Sequence, residues 1–125
     1  MKTKTFASID ELRPYLIRAG MKARVVNGER ATLAVIDIEP NGVAELHHHE
    51  NEQLGLIVSG ELTFHIGDEE RTLQAGDVYQ IPSDVPHDAK AGPLGATVVD
   101  VFIPVRADWE NLPREDPSTP DWPPS

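Results

Sequence analysis

From residue 21 to residue 103, short runs rich in β-branched and other apolar residues alternate with turn residues. The runs lie at 21–26, 31–38, 43–49, 54–59, 61–66, 71–73, 78–81, 87–90 and 97–103. Asn27-Gly28, Pro40-Asn41-Gly42, Gly60, Gly67-Asp68, Ala75-Gly76-Asp77 and Pro82 punctuate them. Within 61–66 the pattern has period two: Leu62, Phe64 and Ile66 share one face, and Thr63 and His65 the other. Eight or nine short strands at this spacing predict an all-β fold, an antiparallel sandwich or barrel. The two ends differ from this texture. Ser8 and Glu11 have capping-box spacing, which predicts a short helix stopped by Pro14. Residues 107–125 hold five prolines and five acids. They predict an irregular tail attached to a barrel domain over residues 1–106. Trp109 and Trp122 predict that this tail packs on the barrel or on a neighbouring subunit.

Composition narrows the chemistry. The chain has no cysteine, which removes disulfides, thiolate metal ligands and thiol nucleophiles. A net charge of −10 argues against nucleic acid and anionic membrane as partners. No apolar run approaches the roughly 20 residues that span a bilayer. Met1 to Phe6 carries two lysines like a signal-peptide start, but Asp10, Glu11 and Arg13 interrupt the apolar stretch that would have to follow. The expectation is a cytoplasmic protein.

Four of the five histidines fall in one constellation: His47-His48-His49, with Gln53 just beyond, and His87 after Pro86. On a strand His47 and His49 point to one side and His48 to the other. Three histidines in a row also suit a polar strand end. Gln53 at ligand spacing and His87 after a Gly- and Pro-framed turn favour a metal site formed by His47, His49, Gln53 and His87. Nitrogen and oxygen donors of this kind suit one divalent transition metal ion: Ni, Zn, Mn, Fe or Cu. His65 either lines a pocket or is a solvated sheet histidine.

The spacings His47-x-His49-x3-Gln53-x6-Gly60 and Gly76-x5-Pro82, followed by His87, resemble the two motifs of the cupins. That resemblance implies a jelly-roll β-barrel over roughly residues 20–106. Gln53 stands where the motif usually has glutamate, so all four donors are neutral. A bound ion then keeps its full charge, which favours Lewis-acid work.

A second constellation lies on the last strand. With period two, Asp100, Phe102, Pro104 and Arg106 share a side, and Val99, Val101 and Ile103 the other. An Asp–Arg ion pair at a strand end is the plain alternative. Together with the histidines and Gln53, this strand resembles the KdgF family of pectin- and alginate-catabolism cupins. Those enzymes convert 4,5-unsaturated monouronates to linear 4-deoxy-5-keto uronates. The resemblance implies a metal-dependent ring-opening isomerase with catalytic residues at Asp100, Phe102 and Arg106. Arg106 would take the substrate carboxylate in its fork, Asp100 would move the proton and Phe102 would pack on the sugar. Other readings stay open: an Fe(II) and O2 cupin dioxygenase, a cupin polyketide cyclase, or a non-catalytic ligand-binding barrel. The expected partners are a small-molecule sugar acid and a second copy of the chain, since small cupins form homodimers through outer strands. Residues 21–26 and the tail around Trp109 are the candidate contact surfaces.

Overall fold

The computed structural model describes residues 4–123. The start of the lysine-bearing segment, residues 1–3, and the tail's last two residues, including Pro124, lie outside the described residues. Eight antiparallel strands follow in chain order: β1 (Tyr15–Arg18), β2 (Met21–Asn27), β3 (Thr32–Ile38), β4 (Val43–His47), β5 (Glu52–Ile66), β6 (Glu69–Gln74), β7 (Val78–Ile81) and β8 (His87–Ile103). This is the expected all-β architecture. No helix among the described residues is long and apolar enough to cross a membrane.

Two strands are longer than the turn signals predict. The runs 54–59 and 61–66 form one strand, β5, and the runs 87–90 and 97–103 form one strand, β8. The reason is a shared glycine corner. Gly60 and Gly95 both have positive φ, +78° and +77°. A Cβ on Gly60 would collide with the carbonyl oxygen of Gly95. Glycine therefore lets both strands bend together rather than end. The first half of β5 and the second half of β8 join β1, β2, β3 and β7 in one layer. Their other halves join β4 and β6 in the facing layer.

Alternation then fills the interior. Ala34, Ile36 and Ile38 of β3, Ile57, Leu62 and Phe64 of β5, and Val98 and Phe102 of β8 are buried. The opposite faces of β3, β5, β7 and β8 leave Leu33, Leu54, Leu56, Val78 and Ile103 exposed.

The N-terminal expectation is corrected. Ile9–Glu11 forms only a single 3-10 turn, and Ser8 makes no side-chain capping bond. Residues Tyr15–Arg18, which lie before the first predicted strand, pair with β2 as a strand. Pro14 favours extended backbone for its neighbour and cannot sit inside a helix. A turn at Gly20, with φ +77°, completes the hairpin.

The tail packs on the barrel of its own chain. A second 3-10 turn, Ala107–Asn111, buries Trp109. The Leu16 amide donates to Pro113 O at 2.9 Å, and the Glu115 amide donates to Pro14 O at 2.9 Å. The Arg114 guanidinium lies 4.5 Å over the Tyr15 ring. Further along, the buried Arg24 donates to Ser118 Oγ at 2.9 Å and pairs with Asp37 at 2.9 Å. The tail thus shields the β1 edge, which would otherwise offer unpaired backbone groups.

Candidate functional site

His47 ends β4 and His87 opens β8, and the two are cross-strand partners. His49 follows the strand end, and Gln53 lies near the start of β5. Each of the three imidazoles is fixed the same way. Nδ1 of His47 lies 2.6 Å from Glu45 O, Nδ1 of His49 is 2.9 Å from Asn51 O, and Nδ1 of His87 is 2.9 Å from Val85 O. A carbonyl can only accept, so Nδ1–H donates in every case and Nε2 keeps its lone pair. One nitrogen from each ring comes within 4.8 Å of the others. His87 Nε2 is buried and has no hydrogen-bond partner among the described residues.

These residues fit a metal ion. A buried unpartnered acceptor is costly unless something fills its place. Gln53 sharpens the point. Its amide nitrogen donates to Asp100 Oδ2 at 3.0 Å, which turns Oε1 toward His49 Nε2 at 3.2 Å. Two acceptors then face each other, an arrangement that a shared cation resolves. Burial holds all three histidines below their ordinary pKa, His87 at about 4. The Arg106 charge adds to the effect at all three, and the Arg18 charge at His47. Neutral imidazoles are the form that ligates. His48 is exposed and faces Asp84 at 3.4 Å, away from the cluster. His65 is exposed beside Asp88 at 3.6 Å and does not line the cavity.

The register of the first layer places the carboxylate. Ala34, Asp100, Gly55 and Tyr79 form one row across β3, β8, β5 and β7. Thr32, Phe102, Gln53 and Ile81 form the next. Asp100 is 2% exposed. It accepts a short hydrogen bond from the Tyr79 hydroxyl and one from Gln53. Gly55 makes this possible, because a Cβ there would collide with the Tyr79 ring and with Asp100 Oδ1. Burial raises the Asp100 carboxyl to about 7, against the lowering effects of the two hydrogen bonds and of Arg106. Burial also pushes the Tyr79 phenol up, with the neighbouring Asp100 charge acting in the same direction.

Period two holds for Asp100 and Phe102 and stops there. The strand ends at Ile103, and Pro104 is exposed rather than on the cavity side. Arg106 returns to the cavity because its amide donates to Thr32 Oγ1 at 2.9 Å and the 3-10 turn begins behind it. Its guanidinium lies 4.7 Å over Phe102 and 4.3 Å over Trp109. The alternative reading, an Asp100–Arg106 ion pair, does not hold among the described residues. Arg106 is held by Asp108 instead, with Nε to Oδ1 and Nη2 to Oδ2 both at 3.0 Å. This bond holds the Asp108 carboxyl below the usual range.

Together these side chains line a cavity of about 290 Å³. The three histidines, Gln53, Asp100, Phe102 and Arg106 all face it, and Tyr79, Trp109, Ile17 and Arg18 are among the other residues of its wall. Sequence reasoning missed those last four as wall residues. Tyr79 carries a signal in hindsight, since it shares the inward face of β7 with buried Ile81 while Val78 is exposed.

Known proteins match this description at several levels. An "H2HPP isomerase" of Bacillus subtilis is 41% identical over 54 residues, which is 42% of this chain. The match spans only 23% of that relative's length. An RmlC-like cupin from Shewanella frigidimarina superposes with a TM-score of 0.80 at 24% identity, covering 86% of this chain and 96% of that one. KdgF from Halomonas sp. superposes with a TM-score of 0.77 at 26% identity, covering 85% and 98%. The family model described as a cupin domain matches residues 34–102, from β3 through Phe102. That span is more than half of the chain and carries the histidine cluster, Gln53 and Asp100, so the protein belongs to the cupin family.

Proposed function

We propose that this cupin is a metal-dependent isomerase that opens the ring of 4,5-unsaturated monouronates, giving linear 4-deoxy-5-keto uronates. The observation that carries the reading is the link between Asp100 and the histidine cluster. Gln53 joins them, with its amide nitrogen on Asp100 and its oxygen facing His49. A buried proton-transfer group thus sits one side chain from a place for a cation. The likeness to KdgF supports the reading. The isomerase name of the Bacillus subtilis relative supports a rearrangement without net oxidation.

The conversion keeps every atom of the substrate. The bond between C1 and the ring oxygen breaks, the C1 hydroxyl becomes an aldehyde, and C5 becomes a ketone. The proton released from the C1 hydroxyl is balanced by one gained at C4. His47, His49, His87 and Gln53 would hold a divalent transition ion, which would supply Lewis acidity when bound. Asp100 holds and delivers the proton for C4, and the Tyr79 hydroxyl fixes its orientation. Phe102 packs on the sugar face. Arg106, held between Phe102 and Trp109, brings positive charge to the wall. Metal-loaded protein incubated with an unsaturated monouronate is expected to abolish its enol absorbance without consuming oxygen. Unchanged absorbance, or oxygen uptake in step with turnover, overturns the proposal.

The same reading includes a homodimer. Met21, Ala23 and Val25 face the core and Trp109 is covered by its own chain, so of the apolar side chains of 21–26 only Val26 is exposed. Val26 belongs to a longer row of apolar side chains. Val26 pairs with Leu33, Leu33 with Val101, and Val101 with Leu54. Leu56 and Val78 extend the same outer face. A monomer rarely leaves so continuous an apolar face in water. Light scattering is expected to give twice the chain mass of 13.8 kDa. The double variant Leu33→Glu, Leu54→Glu is expected to give the single mass. A wild-type monomer, or a dimer that survives both charges, rejects this interface.

A further inference from the structure

The β1 strand carries an irregularity that the proposed reaction does not use. Tyr15 pairs with Ala23 and Leu16 with Lys22, but Met21 pairs with Arg18, so Ile17 is an extra residue in the strand. In a regular strand Ile17 and Arg18 would point to opposite faces. The bulge changes this, and both line the cavity. Bulges re-aim side chains in this way beside functional sites.

The other charged groups of the wall are already engaged. Asp108 occupies the Nε and Nη2 edge of Arg106, the edge best shaped for a carboxylate. Asp100 is bonded to Gln53 and Tyr79. Asp88 lies 3.6 Å from His65. Arg18 has no ion-pair or hydrogen-bond partner among the described residues. It is partly buried, so it is less hydrated than a surface arginine.

We propose that Arg18, turned inward by the β1 bulge and unpaired, is the carboxylate-binding group of the cavity, and that Arg106 is a positioning residue held by Asp108. The ligand class is a small sugar acid, and this identity rests on the uronate reading. Arg18 selects acids over neutral sugars, against a chain whose net charge of −10 repels them.

The test compares wild type with Arg18→Met and Arg18→Lys, all metal-loaded. With unsaturated monouronate, Arg18→Met is expected to raise KM roughly ten- to a hundredfold, the value of a charged hydrogen bond, with kcat and metal content within about twofold. Arg18→Lys is expected to restore part of the loss. A second measurement needs no turnover: calorimetric binding of D-glucuronate and of D-glucose. Wild type is expected to prefer glucuronate, and Arg18→Met to lose that preference. If no uronate is turned over, the reaction is rejected while the glucuronate preference still decides Arg18. The role of Arg18 is overturned by a wild type without preference, or by an Arg18→Met protein that keeps the preference.

Discussion

Asp100→Asn is expected to lower turnover of an unsaturated monouronate by roughly 10²- to 10⁴-fold, the usual contribution of a positioned acid or base. The substitution changes chemistry with little change of shape. Asparagine can still accept from Gln53 through its oxygen and can donate to the Tyr79 oxygen through its nitrogen. The row Ala34, Asp100, Gly55, Tyr79 keeps its packing, because no atom is added where Gly55 leaves no space. Elemental analysis should find the metal content of the variant equal to wild type, since Asp100 supplies no ligand. The variant should also melt near the wild-type temperature. Turnover within tenfold of wild type at equal metal content would remove Asp100 from the chemistry and move the proton step to another group.

The second large effect concerns the histidines. His87→Ala removes the most buried ring of the cluster, which sits 4.2 Å from His47 and 5.0 Å from His49, centroid to centroid. Loss of a supporting partner alone costs about ten- to a hundredfold in metal affinity, so loss of a ligand is expected to exceed roughly a hundredfold. Thermal melting reads this directly. Metal that binds only the folded chain stabilises it by about 2.7 kcal/mol at a hundred times its Kd. Added metal should therefore raise the melting temperature of wild type and leave that of His87→Ala in place. His48→Ala, on the outward side, should respond like wild type. An equal upward shift in His87→Ala would exclude this cluster as the metal site.

The sequence is most legible where strand period and turn chemistry act alone. The all-β class, the outward His48 and the inward pair Asp100 and Phe102 follow from alternation. The same rule places the outer face of β8 correctly, with Val99 and Val101 half-buried and Ile103 exposed. It fails where backbone geometry departs from the regular strand. Gly60 and Gly95 read as stops but act as bends, because each clears the space for a neighbouring backbone. Counting puts Arg106 on the Asp100 face, yet the strand has ended, and a hydrogen bond to Thr32 brings it back. Ser8 and Glu11 look like a helix start, but Pro14 and pairing with β2 win. Arg18 was hidden for the opposite reason: only the pairing partner reveals that Ile17 is one residue too many. Gln53 was legible as an oxygen donor by spacing, but its bond to Asp100 joins two positions 47 residues apart.

The tail that shields the β1 edge also supplies part of the cavity wall. Every candidate metal ligand lies between His47 and His87, and the strands that frame them end at Ile103. Arg106, Trp109 and Leu112 of the cavity wall, and Pro113, which fastens β1, come afterwards. The candidate ligands and the last part of the wall therefore lie on separate stretches of the chain. A change confined to the final segment reshapes the substrate side of the cavity without touching any candidate ligand.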